Sequence, residues 1–557
     1  MDLITVQAFF QQGMFNVPNY QRGYAWQAQQ VKEFLEDLQE AAEDDKVKEH
    51  YTGTITLIEK GSREIFPKTF KLFDVVDGQQ RFTTFTIFVQ AIYNRFNALK
   101  VDKDVLEDIL KNIIYQNNPI LTLNSDSDDF YKKYIINNTV SNLPNKYENK
   151  SQENLAEAKK QISRFLESHK DITKLQKFYS CLMTKFKVNF YTLAKDSDVG
   201  VVFETMNNRG LPLTQIDKVK NYLIFLSARL QDENLSYYIN NTFGNIFKEM
   251  MRIKATPTTE NDILRYSYII YKGVNDSDIH AQIKSDLNIK DNCTKNDVKN
   301  YVDFLFNVTS FYSKIIRKEF HSEEVKNIVS KITWLGNDTN FIPLLISLFS
   351  RYKEIELLEI LRILEVFSFR VYKIGNRKGQ AAQTIFHKLA FQIYSQKAEL
   401  KTIKELLCNN EYATTQNFRL ALQSINFAND QQSDEIAYFF FEYECYLHKY
   451  KNSDFFPFSF TDFCNDFKTK KLSVEHIEPQ NPLNREPSKN LHKLGNLTIT
   501  YDNSVLSNKE FNIKKEIYKK SKLIIEHDLI QYKNWDDNQI NIRNKELIDF
   551  AVNRWKF

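Results

Sequence analysis

Along the 557-residue chain the rhythm of apolar positions changes twice. In residues 1–100 short β-like runs, among them 51–58 and 73–76, alternate with helical stretches, which predicts a mixed α/β segment. Residues 82–99 then keep helical periodicity without Pro or Gly, so Asp77-Gly78-Gln79-Gln80-Arg81 falls at a strand-to-helix turn. Such a turn can present backbone N–H groups to an anion. From about 101 to 400 most segments read as helices, for example 214–230 and 357–372. The polar, weakly periodic stretches 137–152 and 275–297 read as loops or subdomain joints. No fixed-period repeat is seen, which argues against a solenoid. Another helix begins near Ala437. Residues 473–477 and 494–500 then read as strands around a Pro- and Asn-rich excursion, 479–493, and a basic helical stretch runs from about Asn503 onward. The predicted fold class is α+β, mostly helical.

The chain exceeds what one hydrophobic core usually organises, so two or three domains are expected. No apolar run approaches the roughly 20 residues that span a bilayer, and the first residues lack a basic and then apolar signal pattern. Five cysteines, Cys181, Cys293, Cys408, Cys445 and Cys464, lie far apart without CxxC pairs, against both a disulfide framework and a structural zinc. A reducing cytoplasm is the expected location, with no membrane partner. The net charge of +4, from 75 basic against 71 acidic residues, is too mild to mark a nucleic-acid binder. Any DNA contact must come from local patches.

Two sets of residues carry candidate chemistry. Hydrolysis of a phosphodiester needs a base for the water and usually a divalent cation for the developing charge. A β-hairpin followed by a helix is a compact way to hold both. Three ordered blocks fit that layout: Glu475-His476-Ile477-x-Pro479-Gln480, Leu494-Gly495-Asn496-Leu497-Thr498, and Asn503-Ser504-x-x-Ser507-Asn508-x-x-Phe511-x-x-Lys514. They resemble the ββα-metal HNH nucleases. The resemblance implies His476 as general base, Glu475 as a metal ligand, and Asn496 as the residue that fixes the base-carrying loop. It implies Asn503 or Asn508 as second ligand, with preference for Asn508, and Lys514 near phosphate. By itself a Glu-His pair is more often an ordinary partly buried histidine beside a carboxylate. His492, in the excursion, reads as a surface residue.

The second set is N-terminal. Asp77-Gly78-Gln79-Gln80-Arg81 combines a carboxylate, a flexible glycine, two amides and a guanidinium, which suits polyphosphate and its magnesium. Tyr20-Gln21-Arg22-Gly23-x-x-Trp26 and Asn207-x-Arg209-Gly210-x-x-Leu213-x-x-x-Asp217-x-x-Lys220-Asn221 are further blocks. Singly, each has an ordinary reading: Arg22 and Arg81 as structural ion pairs, and residues 207–210 as a helix C-cap. Together they resemble the N-terminal half of the GmrSD family, NTP-dependent restriction enzymes that attack modified phage DNA.

That resemblance implies a ParB-like α/β nucleotide-binding and sensing core at 1–100, completed by a helical extension at 101–230. A helical linker would occupy 231–400 and a helical domain carrying the HNH motif 401–557. It implies nucleotide binding by Asp77, Gly78, Gln79, Gln80, Arg81 and Arg209, with hydrolysis at Asp77, and modification sensing by Tyr20, Gln21, Arg22, Gly23 and Trp26. The implied cofactors are Mg²⁺ or Mn²⁺ and one of GTP, ATP, CTP or UTP. The implied partner is modified phage or foreign DNA, nicked or cut in antiphage defence. A double-strand break would call for a homodimer or successive nicks. The alternatives are a nucleotide-switched DNA sensor without cleavage and a host-directed toxin nuclease.

Overall fold

A computed structural model describes residues 2–44, 46–137, 143–193, 214–273, 275, 278–288, 293–336, 338–377, 381–428, 433–451, 459–482 and 486–557. The chain forms two compact units, Met1–Tyr268 with Asp276–Arg317, and Ile269–Asn275 with Lys318–Phe557. The stretch 231–400, read as one linker, is divided between them. The α+β, mostly helical character holds, and none of the described helices is long and apolar enough to cross a membrane.

The first unit is built on a mixed six-stranded sheet. Its strands are β1 (Asp2–Thr5), β2 (Met14–Asn16), β3 (His50–Ile65), β4 (Lys68–Asp77), β5 (Leu121–Thr122) and β6 (Phe186–Leu193), in the order β1-β6-β3-β4-β2-β5. β3 and β4 form an antiparallel hairpin, while β6 runs parallel to β3 and β2 parallel to β4. The two short strands expected at 51–58 and 73–76 are the inner ends of that hairpin.

Helix α1 (Gln79–Ala98) starts where β4 ends, through Gly78 at φ 85°. A Cβ at this position would lie 2.8 Å from Ile55 Cγ1 and 3.0 Å from the Thr54 carbonyl, so the abrupt turn needs glycine on both conformational and steric grounds. Residues 82–92 of α1 are buried on every side, as for a helix in the middle of a core. Phe82 packs its ring 4.9 Å from Phe9 and 4.8 Å from Phe15, which pins the start of α1 against the sheet.

Helices α2 (Lys150–Ser168), α3 (Gln215–Arg229), α4 (Glu233–Arg252) and α5 (Pro257–Lys272) follow. Two expected loops contain helix. Asn149 caps α2 by accepting from Gln152 N–H, so the end of 137–152 is helical. Inside 275–297, Asp278 caps α6 (Ile279–Asp286), whose Ile279 and Ile283 are buried one turn apart. This short apolar pair does not rise above its polar surroundings in sequence.

Among its described residues the second unit is helical apart from one hairpin. Helix α7 (Ser433–Lys451) precedes antiparallel β7 (Ser473–His476) and β8 (Leu497–Thr500), in which His476 pairs with Leu497 and Ser473 with Thr500. The expected second strand is shorter than 494–500, because Leu494–Asn496 forms a 3₁₀ turn. The expected helix from Asn503 is broken into α8 (Asn503–Leu506), α9 (Phe511–Tyr518), α10 (Ile524–Leu529) and α11 (Asp537–Arg554). Ser507 takes a positive φ of 41°, which ends α8 after one turn. Trp555 stacks on Phe369 at 3.9 Å and lies 5.6 Å from Phe439, anchoring the C-terminal end in the core.

Candidate functional site

In the first unit two blocks separated by more than fifty residues are stitched together. Gln79 Nε2 donates to the Arg22 carbonyl at 3.0 Å, Gln80 Nε2 donates to the Gly23 carbonyl at 3.1 Å, and Gln80 Oε1 accepts from Ala25 N–H at 2.6 Å. In return Gln21 Nε2 donates to the Val76 carbonyl at 2.9 Å. The two amides expected to meet a nucleotide thus hold the 21–26 segment beside the Asp77 turn. Between these elements lies a cavity of about 580 Å³, whose lining includes Gln21, Arg22, Trp26, Asp77, Gly78 and Arg81. That volume falls in the range of small-molecule sites.

Its charges are arranged unevenly. Arg22 donates to Thr214 Oγ1 at 2.9 Å and pairs with Asp217 of α3 and, at 3.3 Å, with Glu260 of α5. Burial by itself would lower the Arg22 pKa, but the two carboxylates outweigh it and raise it. Arg81 Nη1 donates to the Thr54 carbonyl at 3.0 Å, and burial lowers its pKa against the pull of Asp77. Burial raises the Asp77 carboxyl above its ordinary value, opposed by Gly78 N–H and Arg81. Tyr20 faces elsewhere in the same unit, lining a second cavity of about 1100 Å³ with Asn19, Asp74 and residues of α4. Arg209 lies outside the described residues, as do Asn207, Gly210 and Leu213.

In the second unit His476 ends β7 and is 5% exposed. Its Nδ1 is 3.0 Å from Gln480 Nε2 and its Nε2 is 3.2 Å from His492 Nδ1. Burial, with His492 and then Lys514 adding to it, lowers its pKa to about 4, so the ring is neutral at ordinary pH. His492, read from sequence as a surface residue, is therefore the immediate neighbour of the expected base. Only the hairpin, by folding the excursion back on itself, brings the two rings together.

Asn496 is fully buried and ties three elements. Its Oδ1 accepts from Glu478 N–H at 2.9 Å and from Trp535 Nε1 at 2.8 Å, and its Nδ2 donates to the Leu491 carbonyl at 2.8 Å. The Ile477 N–H donates to the Asn496 carbonyl at 2.8 Å, closing the loop just after His476. Helix α11 braces the turn from behind: Arg543 Nη1 donates to the carbonyls of Gly495 and Leu497 at 2.8 and 2.7 Å. A Cβ on Gly495 would come within 2.2 Å of the Ile540 carbonyl, so only glycine admits this contact. The Asn496 side chain thus makes three hydrogen bonds to the segments around the His476 loop.

The remaining expected residues are distributed otherwise. Lys514 is 0% exposed, and its ammonium lies 2.5 Å from Glu475 Oε1 and 2.6 Å from the His476 carbonyl. Lys514, expected near phosphate, is here paired with a buried carboxylate. Burial raises the Glu475 pKa and lowers that of Lys514, and their attraction works against both shifts. Asn503 Nδ2 donates to Ser473 Oγ at 2.7 Å, at the opposite end of β7 from His476. Asn508 is exposed in the break between α8 and α9 rather than on a helix turn. Among the described residues no group of three His, Cys, Asp or Glu side chains is arranged to hold a metal.

The class of the chain, restriction endonuclease, comes from family comparison, which matches it at both ends. Residues 6–224 match the GmrSD restriction endonuclease, N-terminal domain, and residues 412–550 match the GmrSD restriction endonucleases, C-terminal domain. The chain belongs to the GmrSD restriction endonucleases. No curated protein matches it.

Proposed function

We propose that this restriction endonuclease is NTP-dependent and acts on modified DNA, with the nucleotide in the cavity of the first unit and hydrolysis at His476 in the second. The observation that carries the nucleotide reading is the convergence of Gln21, Arg22, Ala25 and Trp26 with residues 77–81 on one cavity containing Arg22 and Arg81. Guanidinium groups suit phosphate oxygens, and Trp26 with Phe34 gives the same cavity an apolar wall for a base. Asp77 is the candidate to orient water or the cation of the nucleotide. Residues 20–23, whose backbone is held by Gln79 and Gln80, are the candidate segment for sensing a DNA modification.

For cleavage, His476 is the proposed general base. With the Gln480 amide donating to Nδ1, the ring proton sits on Nε2 and points to His492, a tautomer assigned from the hydrogen-bond partners. Gln480 is exposed, so a water can replace its amide at Nδ1 at small cost and surrender a proton there as it attacks phosphorus, breaking one P–O ester bond whose departing sugar oxygen takes a proton from solvent. His492 steadies the imidazolium that results. A divalent cation, implied by the family, does not fit the side chains as they stand: Glu475 is taken by Lys514, Asn503 is bonded to Ser473, and Asn508 is exposed.

The test is cleavage of a panel of modified and unmodified phage DNAs with each NTP in turn, with Mg²⁺, Mn²⁺ or chelator. Cutting confined to one class of modified DNA and dependent on an NTP is expected. Equal cutting of all DNAs without nucleotide would overturn the reading, and retention of DNA without cutting would favour a binding sensor.

A further inference from the structure

Helix α3 grips the 20–22 segment with two side chains one turn apart. Asp217 pairs with Arg22, and Lys220 Nζ donates to the Tyr20 carbonyl at 2.8 Å. The Lys220 ammonium also lies 4.5 Å from the centre of the Tyr20 ring and 5.9 Å from that of Phe247. Lys220 is 6% exposed and lines the same cavity as Arg22, Asp77 and Arg81.

Its electrostatic position differs from that of its neighbours. Asp217, the nearest acid on the helix, receives Arg22, Thr214 N–H and Thr214 Oγ. Among the described residues Lys220 forms no ion pair with a carboxylate, so its polar partner is one carbonyl. A buried ammonium with so little compensation is costly, and burial, with Arg22 adding to it and Asp217 opposing, lowers its pKa to about 7. For packing against Tyr20 and Phe247 alone, a Met or Leu would fill the space without that cost. Among the described residues no carboxylate pairs with Lys220, and the cavity beside it is where a negative charge can enter.

We propose that Lys220 binds the phosphate chain of a nucleoside triphosphate in this cavity, an inference that rests on the nucleotide reading above. Because the same ammonium holds the Tyr20 carbonyl, the phosphate and the 20–23 segment then share one cation. The acidic and guanidinium groups that line the cavity with it are Arg22, Glu33, Asp37, Asp77, Arg81 and Asp217, of which Arg22 is already paired with Asp217 and with Glu260.

The experiment is calorimetric titration of the full chain with the preferred NTP and with its parent nucleoside, for wild type, Lys220→Met and Lys220→Arg. A charge-assisted contact corresponds to about a 10- to 100-fold change in affinity. Lys220→Met is expected to weaken triphosphate binding by at least about 10-fold while nucleoside binding stays within about 2-fold, and Lys220→Arg to recover part of the loss. Equal triphosphate affinity in wild type and Lys220→Met would overturn the proposal and leave the nucleotide site standing. Absence of nucleotide binding by the folded wild type would instead overturn the nucleotide reading itself. Circular dichroism melting checks each variant, and Lys220→Gln supplies the same comparison if the Met variant does not fold.

Discussion

The ammonium of Lys514 sits 2.5 Å from Glu475 Oε1 and 2.6 Å from the carbonyl of His476, with no exposed surface of its own. One cation thus joins helix α9 to the strand end that carries the proposed base. Removing one partner of such a pair strands the other in a medium of low polarity, at a cost of about 3–5 kcal/mol. Lys514→Met should lower the melting temperature of the second unit by roughly 10 °C. The double variant Lys514→Met, Glu475→Gln should lose less than the two single changes added together. Strict additivity in thermal denaturation would show that the pair does not interact.

Asn496 makes a second connection that can be read directly. Asn496→Leu leaves Glu478 N–H, Trp535 Nε1 and the Leu491 carbonyl without their partner, at about 1–3 kcal/mol for each buried group. Cleavage should fall with stability, since the loop after His476 closes on this residue. With 5-fluorotryptophan incorporated, the Trp535 resonance should move. An unmoved resonance together with wild-type cleavage would contradict the positioning role.

Glu526 predicts a dependence on pH. It is 1% exposed, and burial lifts its carboxyl to about 7, although Ser521 and Thr500 donate to it. Below the ordinary value of 4.5 both folded and unfolded forms carry the proton, so no penalty applies. Stability is then lost as pH rises from 4.5 through 7, because the unfolded chain ionises first, and the loss levels off near 3 kcal/mol as an order of magnitude. Melting between pH 5 and 7.5 should therefore fall more steeply for wild type than for Glu526→Gln. His476, whose pKa is lowered, slopes the opposite way in both proteins and cancels in the comparison. Parallel slopes would refute the assignment.

Gly78 predicts a coupling of fold to cavity. At φ 85°, with Ile55 and Thr54 within 3.0 Å of a Cβ, Gly78→Ala should cost at least roughly 1–3 kcal/mol of stability. It should also disturb nucleotide binding, measured by calorimetry. An Ala variant as stable as wild type would mean that the turn relaxes easily.

Several features were legible in the sequence for local reasons. A glycine between a β-like run and a helical run marks a turn whatever the rest of the chain does, and the turn at Gly78 is there. The hairpin around residues 473–500 followed from the order of two short strand-like runs flanking a Pro- and Asn-rich excursion, ahead of a helical stretch. What escaped notice depends on partners distant in sequence. Gln79 and Gln80 bond to the 22–25 backbone, and His492 meets His476 only because the excursion folds back. Lys514 carries no sign in its own segment that it will be buried against Glu475. The break at Ser507, which removes Asn508 from any helix, is a positive φ on a serine, a conformation that sequence pattern does not reveal.

Cleavage by His476 is tested most directly by digesting plasmid or phage DNA with His476→Ala beside wild type, with NTP hydrolysis followed in the same reactions. His476→Ala should leave DNA intact at the level of the enzyme-free control while hydrolysing NTP within about 2-fold of wild type, since a lost base costs about 10²–10⁴-fold in rate. Cleavage by His476→Ala at the wild-type rate would contradict the account.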